Sequence, residues 1–162
     1  MRGRKACRRW AWARAVLLAP LLPGLAMSTG APGRESGTGI DLPSPARTGE
    51  MPVERALSVR ESLRSYGAAP LDLEALGQLL WAAQGTIRAG EGRTAPSAGA
   101  LYPLEVYLVA GEVTGLEAGV YHYRPDRHRL VRTVAGDRRE GLAEAALGQP
   151  WVRRAPAVLA IS

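Results

Sequence analysis

The sequence predicts a fold that combines helices and strands, with the helices packed around a sheet. Apolar residues recur every three or four positions between 73 and 83, which is the spacing of an amphipathic helix. Three short segments, 105–110, 120–123 and 130–134, are rich in Val, Leu and Tyr, which are typical of strands. A continuous apolar run at 157–161 predicts one further strand.

Three helices are predicted along the chain. The first begins at Pro52, because proline is favoured at the start of a helix, and ends within Arg60–Arg64. The second is capped by Asp72 and ends at Gly85. Its apolar face is formed by Leu73, Leu76, Leu79, Leu80 and Ala83. The third covers 137–147, and the polar, glycine-rich segment 87–93 is predicted to be a mobile loop.

The strands predict a hairpin and one buried strand. Segments 120–123 and 130–134 are joined through Pro125-Asp126, a dipeptide that favours a turn. The run 157–161 is apolar throughout, which predicts a strand buried on both faces. Three helices and a hairpin are too few to cover such a strand on both sides. We therefore expect further structure, from a C-terminal half or from another subunit.

The positive charge of the chain is concentrated at its N-terminus. Six of the 21 Lys and Arg residues lie in the first 14 positions with no acid among them, so the remainder balances the 15 Asp and Glu. This distribution argues against nucleic acid as a partner, because the basicity is not on the folded part. A basic stretch, an apolar run at 15–27 and small residues from 28 onward have the layout of a secretory signal peptide. A basic extension or a wrongly assigned start is the alternative.

These features divide the chain into a signal peptide or membrane anchor (1–28), a flexible linker (29–50) and an incomplete folded domain (51–162). A genuine leader predicts an exported protein, periplasmic or membrane-anchored; without it the protein is cytoplasmic. Cys7 is the only cysteine and lies in the leader, which excludes disulfides and a cysteine nucleophile after processing. His122 and His128 are predicted to be exposed hairpin residues, and no metal site is predicted.

Arg60, Ser62 and Arg64 are candidates for an anion site. Two guanidinium forks and a hydroxyl can converge on one anion. Their spacing does not fit one face of a regular helix, so they converge only where the helix gives way to extended chain. Glu61 is expected to point away. An ordinary charged helix end has the same pattern.

Two further segments suit a flat ligand. Pro96, Ser97 and Gly99 lie in a turn of small residues, which lets the backbone approach a ligand closely. Gln149 offers an amide that both donates and accepts, as an imide-like ring edge requires. An ordinary turn and a polar residue at a helix end are the alternatives.

Together these segments resemble the nitroreductase-like flavoproteins, and among them the SagB-type dehydrogenases, which include the azoline oxidases of peptide-toxin biosynthesis. The matching pieces follow the family's order across about residues 40–162. They are Leu42–Pro45, Arg60–Tyr66, Pro70–Gly85, Arg93–Tyr107, Gly119–Tyr123 and Gly148–Trp151. The resemblance implies an α+β nitroreductase-like fold of which only the N-terminal part is present, without the family's central dimer helix.

The resemblance also implies FMN, bound non-covalently between the subunits of a homodimer. Arg60, Ser62 and Arg64 would hold its phosphate. The turn residues Pro96, Ser97 and Gly99 would lie along the isoalloxazine ring, from the partner subunit in the family's usual arrangement. Gln149 would contact the polar edge of that ring, and no catalytic residue is identified.

The implied activity is hydride transfer through FMN from a reduced donor, for which a nicotinamide nucleotide is a candidate, to a small-molecule or peptide acceptor. The sequence departs from the family at Glu61, where a basic residue is common. Azoline oxidases also use a downstream Lys-Tyr pair, and the only lysine here is Lys5, so azoline oxidation is not predicted. Whether the chain is an enzyme stays open. A truncated, non-catalytic remnant, a flavin-binding subunit that needs a partner chain and an exported structural protein are the alternatives.

Overall fold

The structure, a computed structural model, describes residues 39–88 and 92–162. The predicted signal peptide (1–28) and the middle of the predicted loop (89–91) lie outside the described residues. The helices are α1 (Val53–Val59), α2 (Leu73–Gln84), α3 (Arg139–Ala145) and α4 (Pro150–Arg154), with a short 3₁₀ turn at Ala98–Ala100. The strands are β1 (Ile40–Asp41), β2 (Val106–Ala110), β3 (Gly119–Arg124), β4 (Arg129–Ala135) and β5 (Ala157–Ile161).

The five strands form one antiparallel sheet in the order β1-β4-β3-β2-β5. The central pairing sets Tyr107 of β2 opposite His122 of β3, and Leu108 of β2 lies opposite Leu159 of β5. The turn between β3 and β4 falls at the predicted Pro125-Asp126. The sheet together with the helices confirms the predicted α+β class.

The core lies between α2 and one face of the sheet. The Asp72 carboxylate accepts a hydrogen bond from the Ala75 N–H at 2.7 Å, which caps the start of α2 as predicted. Leu76 and Leu80 are fully buried and belong to one apolar cluster with Leu108, from the centre of the sheet. Burying side chains of this size stabilises the fold by about 1.5–3 kcal/mol each.

The chain joins the fold before the predicted boundary at Met51. Ile40 of β1 pairs with Leu130 of β4, although β1 lies within the range predicted to be a linker. The Gln78 amide makes two hydrogen bonds to the Ala46 backbone. It accepts from the Ala46 N–H at 2.8 Å and donates to the Ala46 carbonyl at 3.1 Å. A strand of two residues is too short to show a periodic pattern, which is why the sequence does not predict it.

His128 ties this N-terminal segment to the hairpin. Its Nε2 lies 2.9 Å from the Pro43 carbonyl, and its Nδ1 lies 2.9 Å from the Tyr123 hydroxyl. A carbonyl only accepts, so Nε2 carries the proton and Nδ1 accepts from Tyr123. Burial lowers the pKa of His128 and raises the pKa of Tyr123 to about 12.

His122 is buried as well. Its ring stacks on Tyr107 with 4.8 Å between the ring centroids, and its Nε2 lies 2.6 Å from a carboxylate oxygen of Glu105. The prediction that both histidines are exposed is therefore wrong for His122, which is buried, and for His128, which is partly buried. Hairpin position alone does not report the cross-strand neighbours that cover a side chain.

Two elements remain open to solvent. No residue of α1 is buried, and Leu57 is 71% exposed. Among the described residues β5 pairs with β2 alone, and Ile161 is 60% exposed. Within the described residues β5 lies at the edge of the sheet and is only partly buried, so these residues do not supply the burial on both faces that was predicted for it. Within the described ranges, no helix has the length and apolar character needed to span a bilayer.

Candidate functional site

The segment Arg60–Arg64 leaves α1 at the predicted place. The helix ends at Val59, and Arg60 already has extended backbone with φ −62° and ψ 123°. The chain is neither helix nor strand from Arg60 to Gly67, so Arg60, Ser62 and Arg64 are not held to the spacing of a helical face that would keep them apart. All three side chains are exposed.

Arg64 is in contact with α4. Its guanidinium carbon lies 5.2 Å from the centroid of the Trp151 ring, within the range of a cation–π interaction. Gln149, half-buried, immediately precedes this helix. The structure thus brings the predicted anion segment to the helix that follows Gln149.

A cavity of about 160 Å³ opens beside this contact. It is lined by Ser65, Tyr66 and Gly67, which follow Arg64, and by Arg154 from α4. Arg153, the preceding residue, forms an ion pair with Glu140 of α3. The two arginines at the end of α4 therefore differ, since only Arg154 faces the cavity.

Arg139 fixes the position of α4. Its largely buried guanidinium donates to the Ala155 carbonyl at 2.8 Å and to the Asp137 carboxylate at 2.8–3.1 Å. It also reaches Glu112 at 3.2 Å, and its hydrogen bonds hold the pKa of Asp137 below the usual value. The Arg139 guanidinium lies against Gly111, so a side chain at this position would have to displace it from these hydrogen bonds. The far end of α4 is thus held to the β2–β3 connection and to α3.

The second predicted segment is anchored to the end of α2. The Thr94 hydroxyl donates to the Trp81 carbonyl at 2.9 Å, and the Thr94 N–H donates to the Gly85 carbonyl at 2.9 Å. The Trp81 indole N–H in turn donates to the Thr86 carbonyl at 3.1 Å. These bonds fix where the turn that follows Thr94 begins.

The turn presents an almost bare backbone. The Ser97 hydroxyl accepts from the Tyr102 N–H at 3.0 Å, which closes the turn on itself. Gly99 has φ +63°, and a Cβ added there would have only the Leu101 side chain, at 3.8 Å, within 4 Å. Pro96 and Gly99 are exposed, so a flat ring can approach the main chain.

The predicted site residues form two groups in this chain. Among the described residues, hydrogen bonds of the Thr94–Tyr102 segment run to α2 or within the segment, and none joins it to 60–67 or to Gln149. Arg64 contacts Trp151 of α4, the helix that Gln149 precedes, while the segment with Pro96, Ser97 and Gly99 is anchored through Thr94 to the end of α2. In the ranges 39–88 and 92–162, no group of three or more His, Cys, Asp or Glu residues is arranged to hold a metal ion.

Comparison with known proteins identifies the family. The sequence profile of the nitroreductase family matches residues 57–162. The chain belongs to the nitroreductase family. A Methanocaldococcus jannaschii protein provisionally named as a nitroreductase is 43% identical over 113 residues, which are 70% of this chain and 57% of that protein. The trifolitoxin-processing protein TfxB of Rhizobium leguminosarum bv. trifolii is 36% identical over 111 residues, 65% of this chain and 27% of that protein.

Solved structures agree with this assignment. A crystal structure of a Ralstonia eutropha protein, provisionally titled a nitroreductase, superposes with a TM-score of 0.64 at 37% identity and covers 80% of this chain and 57% of that chain. The fold is therefore nitroreductase-like, as the sequence resemblance implied. This nitroreductase-family chain spans 57% of the Methanocaldococcus jannaschii protein and of the Ralstonia eutropha structure, and about a quarter of TfxB.

Nitroreductase-family proteins usually bind a flavin, so the described residues are compared with what a flavin needs. The bare Gly99 turn has the open main chain that a ring stacks against, and Arg64 lies beside a cavity with a second guanidinium from Arg154. Each group by itself fits one part of a phosphate-bearing, ring-containing molecule, the arginines its phosphate and the turn its ring. Sequence reasoning missed Trp151 and Arg154, although an aromatic residue and a cation on the helix that follows Gln149 were a usable signal.

Proposed function

We propose that this chain is the FMN-binding part of an oxidoreductase of the SagB-type branch of the nitroreductase family. The reaction would pass a hydride, with its two electrons, from a reduced donor such as a nicotinamide nucleotide to an organic acceptor. FMN, when bound, supplies the hydride chemistry. The contact between Arg64 and α4 carries the proposal, because it joins the segment suited to a phosphate to the helix beside Gln149.

Each residue has a stated task in this proposal. Arg60, Ser62 and Arg64 bind the phosphate through charged and neutral donors. Pro96, Ser97 and Gly99 offer main chain along the ring, and Gln149 orients the polar ring edge through its amide. Glu61 lies next to two of the cations and reduces their net charge, which predicts weaker phosphate binding than a basic residue would give.

The branch and the assembly are further parts of the proposal. The likeness to TfxB, a trifolitoxin-processing protein, favours the SagB-type branch and a peptide as one class of acceptor. Members of this family are commonly dimers, and the exposed faces of α1 and β5 leave apolar surface for a second subunit. Export to the periplasm or anchoring to the membrane follows if the predicted leader acts as a signal.

A second candidate is a flavin-binding subunit, or a non-catalytic remnant, that needs a partner chain. The exposed surfaces of α1 and β5 support it, since they carry apolar side chains that a partner chain could cover. This candidate predicts that FMN binds but is not reduced by a nicotinamide nucleotide until a partner is added.

Flavin binding by the purified full chain tests both candidates. FMN is titrated while its fluorescence and visible absorption are followed, first for the wild type and then for Arg60→Ala and Arg64→Ala. Arg127→Ala is the matched control, because Arg127 is an exposed arginine of the hairpin turn. We expect each phosphate-segment variant to lose at least tenfold in affinity and the control to lose none. Equal affinities for all variants would contradict the assigned phosphate site, and no binding by the wild type would contradict the function.

Flavin reduction under anaerobic conditions then separates the two candidates. Bleaching of the bound-flavin absorption by NADH or NADPH supports the complete oxidoreductase. A flavin that stays oxidised with both nucleotides, yet is reduced by dithionite, supports the subunit that requires a partner.

A further inference from the structure

We propose that Trp151 is a positioning residue that makes flavin binding depend on the phosphate group, because its ring holds the Arg64 guanidinium in place. The inference rests on the proposed function and adds a specificity-determining residue to it. Trp151 acts through Arg64, without touching the phosphate itself.

The contact with Trp151 involves no carboxylate or carbonyl acceptor. A cation–π contact is made by the charge of the guanidinium over the ring, so it does not consume a hydrogen-bond acceptor of the ligand. Among the ion pairs of the described residues, none involves Arg64 or Arg154. Arg64 is therefore held without a carboxylate that an incoming anion would have to displace.

The segment that carries Arg64 gives it little other support. Every residue from 51 to 70 is exposed, and 60–67 forms neither helix nor strand. An arginine on such a backbone samples many rotamers, and this freedom is lost when the side chain binds a ligand. Contact with Trp151 removes part of that freedom before the ligand arrives, which strengthens binding.

The ring of Trp151 is carried by a supported helix. The Ala155 N–H donates to the Trp151 carbonyl at 3.0 Å, and Arg139 holds the Ala155 carbonyl at 2.8 Å. The same helix places Arg154 in the wall of the 160 Å³ cavity beside the segment that follows Arg64. The helix α4 thus presents both a ring that orients one guanidinium and a second guanidinium.

Comparison of FMN with riboflavin tests the role of Trp151, because riboflavin has the same ring system without the phosphate. Affinities for both are measured by fluorescence titration of the full chain, for the wild type, Trp151→Leu, Trp151→Phe and Arg64→Ala. Trp151→Leu is expected to weaken FMN binding about fivefold, the effect of losing a cation–π contact, and to leave riboflavin binding unchanged. Trp151→Phe keeps an aromatic face and is expected to recover most of the FMN affinity.

The double variant gives the decisive comparison. Once Arg64 is alanine, Trp151→Leu is expected to have no further effect on FMN affinity. Equal loss of FMN and riboflavin affinity in Trp151→Leu would overturn the inference, since the ring would then support the whole ligand. Unchanged FMN affinity in a correctly folded Trp151→Leu would overturn it too.

Two measurements distinguish failure of this inference from failure of the proposed function. A wild type that binds FMN no better than riboflavin argues against the phosphate site as a whole. A double-mutant cycle on the unfolding of the flavin-free chain tests the Arg64–Trp151 contact directly. Coupling is expected to be favourable, and coupling within error of zero would overturn the positioning role whatever the flavin data show.

Discussion

Replacement of Tyr123 by phenylalanine tests the hydrogen-bonded path that joins the hairpin to the N-terminal segment. The Tyr123 hydroxyl donates to His128, and His128 donates to the Pro43 carbonyl, each at 2.9 Å. Tyr123→Phe keeps the buried ring and its edge-to-face contact with His128, at 5.8 Å between centroids, and removes one hydrogen bond. The variant is expected to lose about 1–2 kcal/mol of unfolding free energy, the cost of one net bond and of an acceptor left without a donor.

Removing both hydrogen bonds of this path lowers the unfolding free energy more than Tyr123→Phe does. His128→Leu removes both hydrogen bonds and the aromatic contact, so about 2–3 kcal/mol is expected from two bonds of about 1 kcal/mol each and one ring pair. Urea unfolding of the full chain at pH 7.5, followed by tryptophan fluorescence, measures both values. Tyr107→Phe is the matched control, since Tyr107 lies on the neighbouring strand and its hydroxyl makes no hydrogen bond to the described residues.

The same path predicts the pH dependence of stability. Burial lowers the folded-state pKa of His128 below its unfolded value of about 6.5, so the unfolded chain binds the proton more readily. The stabilisation is therefore complete above about pH 6.5 and is lost as the pH falls through the folded-state pKa. The unfolding free energy of the wild type should fall more between pH 7.5 and pH 5.5 than that of His128→Leu does. A Tyr123→Phe loss no greater than that of Tyr107→Phe, or a wild type more stable at pH 5.5, would refute the reasoning.

Three further predictions concern the turn, the core and the sheet edge. Thr94→Val is expected to lose about 1 kcal/mol of unfolding free energy and to speed amide exchange in 94–102, because it removes the hydroxyl hydrogen bond. Thr94→Ser keeps that bond and should match the wild type in stability and in exchange rate. Hydrogen-exchange mass spectrometry measures the exchange. Leu80→Ala is expected to destabilise the chain by about 2–5 kcal/mol in urea unfolding, because Leu80 is fully buried. Ile161→Lys is expected to leave the unfolding free energy within about 0.5 kcal/mol and to reduce self-association in light scattering, since lysine protects exposed strand edges.

The sequence predicts elements whose signals are local. The helix α2 carries a cap at Asp72, a regular apolar face and a stop at Gly85, and the structure has it at nearly those bounds. The hairpin and its turn are confirmed for the same reason. The five-residue α4 has only Pro150 as a local signal, and β1 has none, so both depend on the contacts that the folded chain supplies.

In the candidate site, too, the local features could be predicted from the sequence and the long-range contacts could not. The spacing of Arg60, Ser62 and Arg64 predicts the end of α1, because three such residues cannot share a helical face, and the backbone at Arg60 is extended. The contact of Arg64 with Trp151 joins residues far apart in the chain, and no local pattern reports it. The roles assigned to Pro96, Ser97, Gly99 and Gln149 stay predictions until flavin binding is measured.

The two hydrogen bonds between the Gln78 amide and the Ala46 backbone determine which substitutions this contact tolerates. Both hydrogen bonds end on the main chain of residue 46, so they place no demand on the side chain there. Any residue with a backbone N–H satisfies them, and proline alone is excluded. At position 78, by contrast, the amide supplies a donor and an acceptor on two adjacent atoms, so a change to Glu would lose the donor and a change to Leu would lose both. The contact therefore depends on the side chain at position 78 and not on the side chain at position 46.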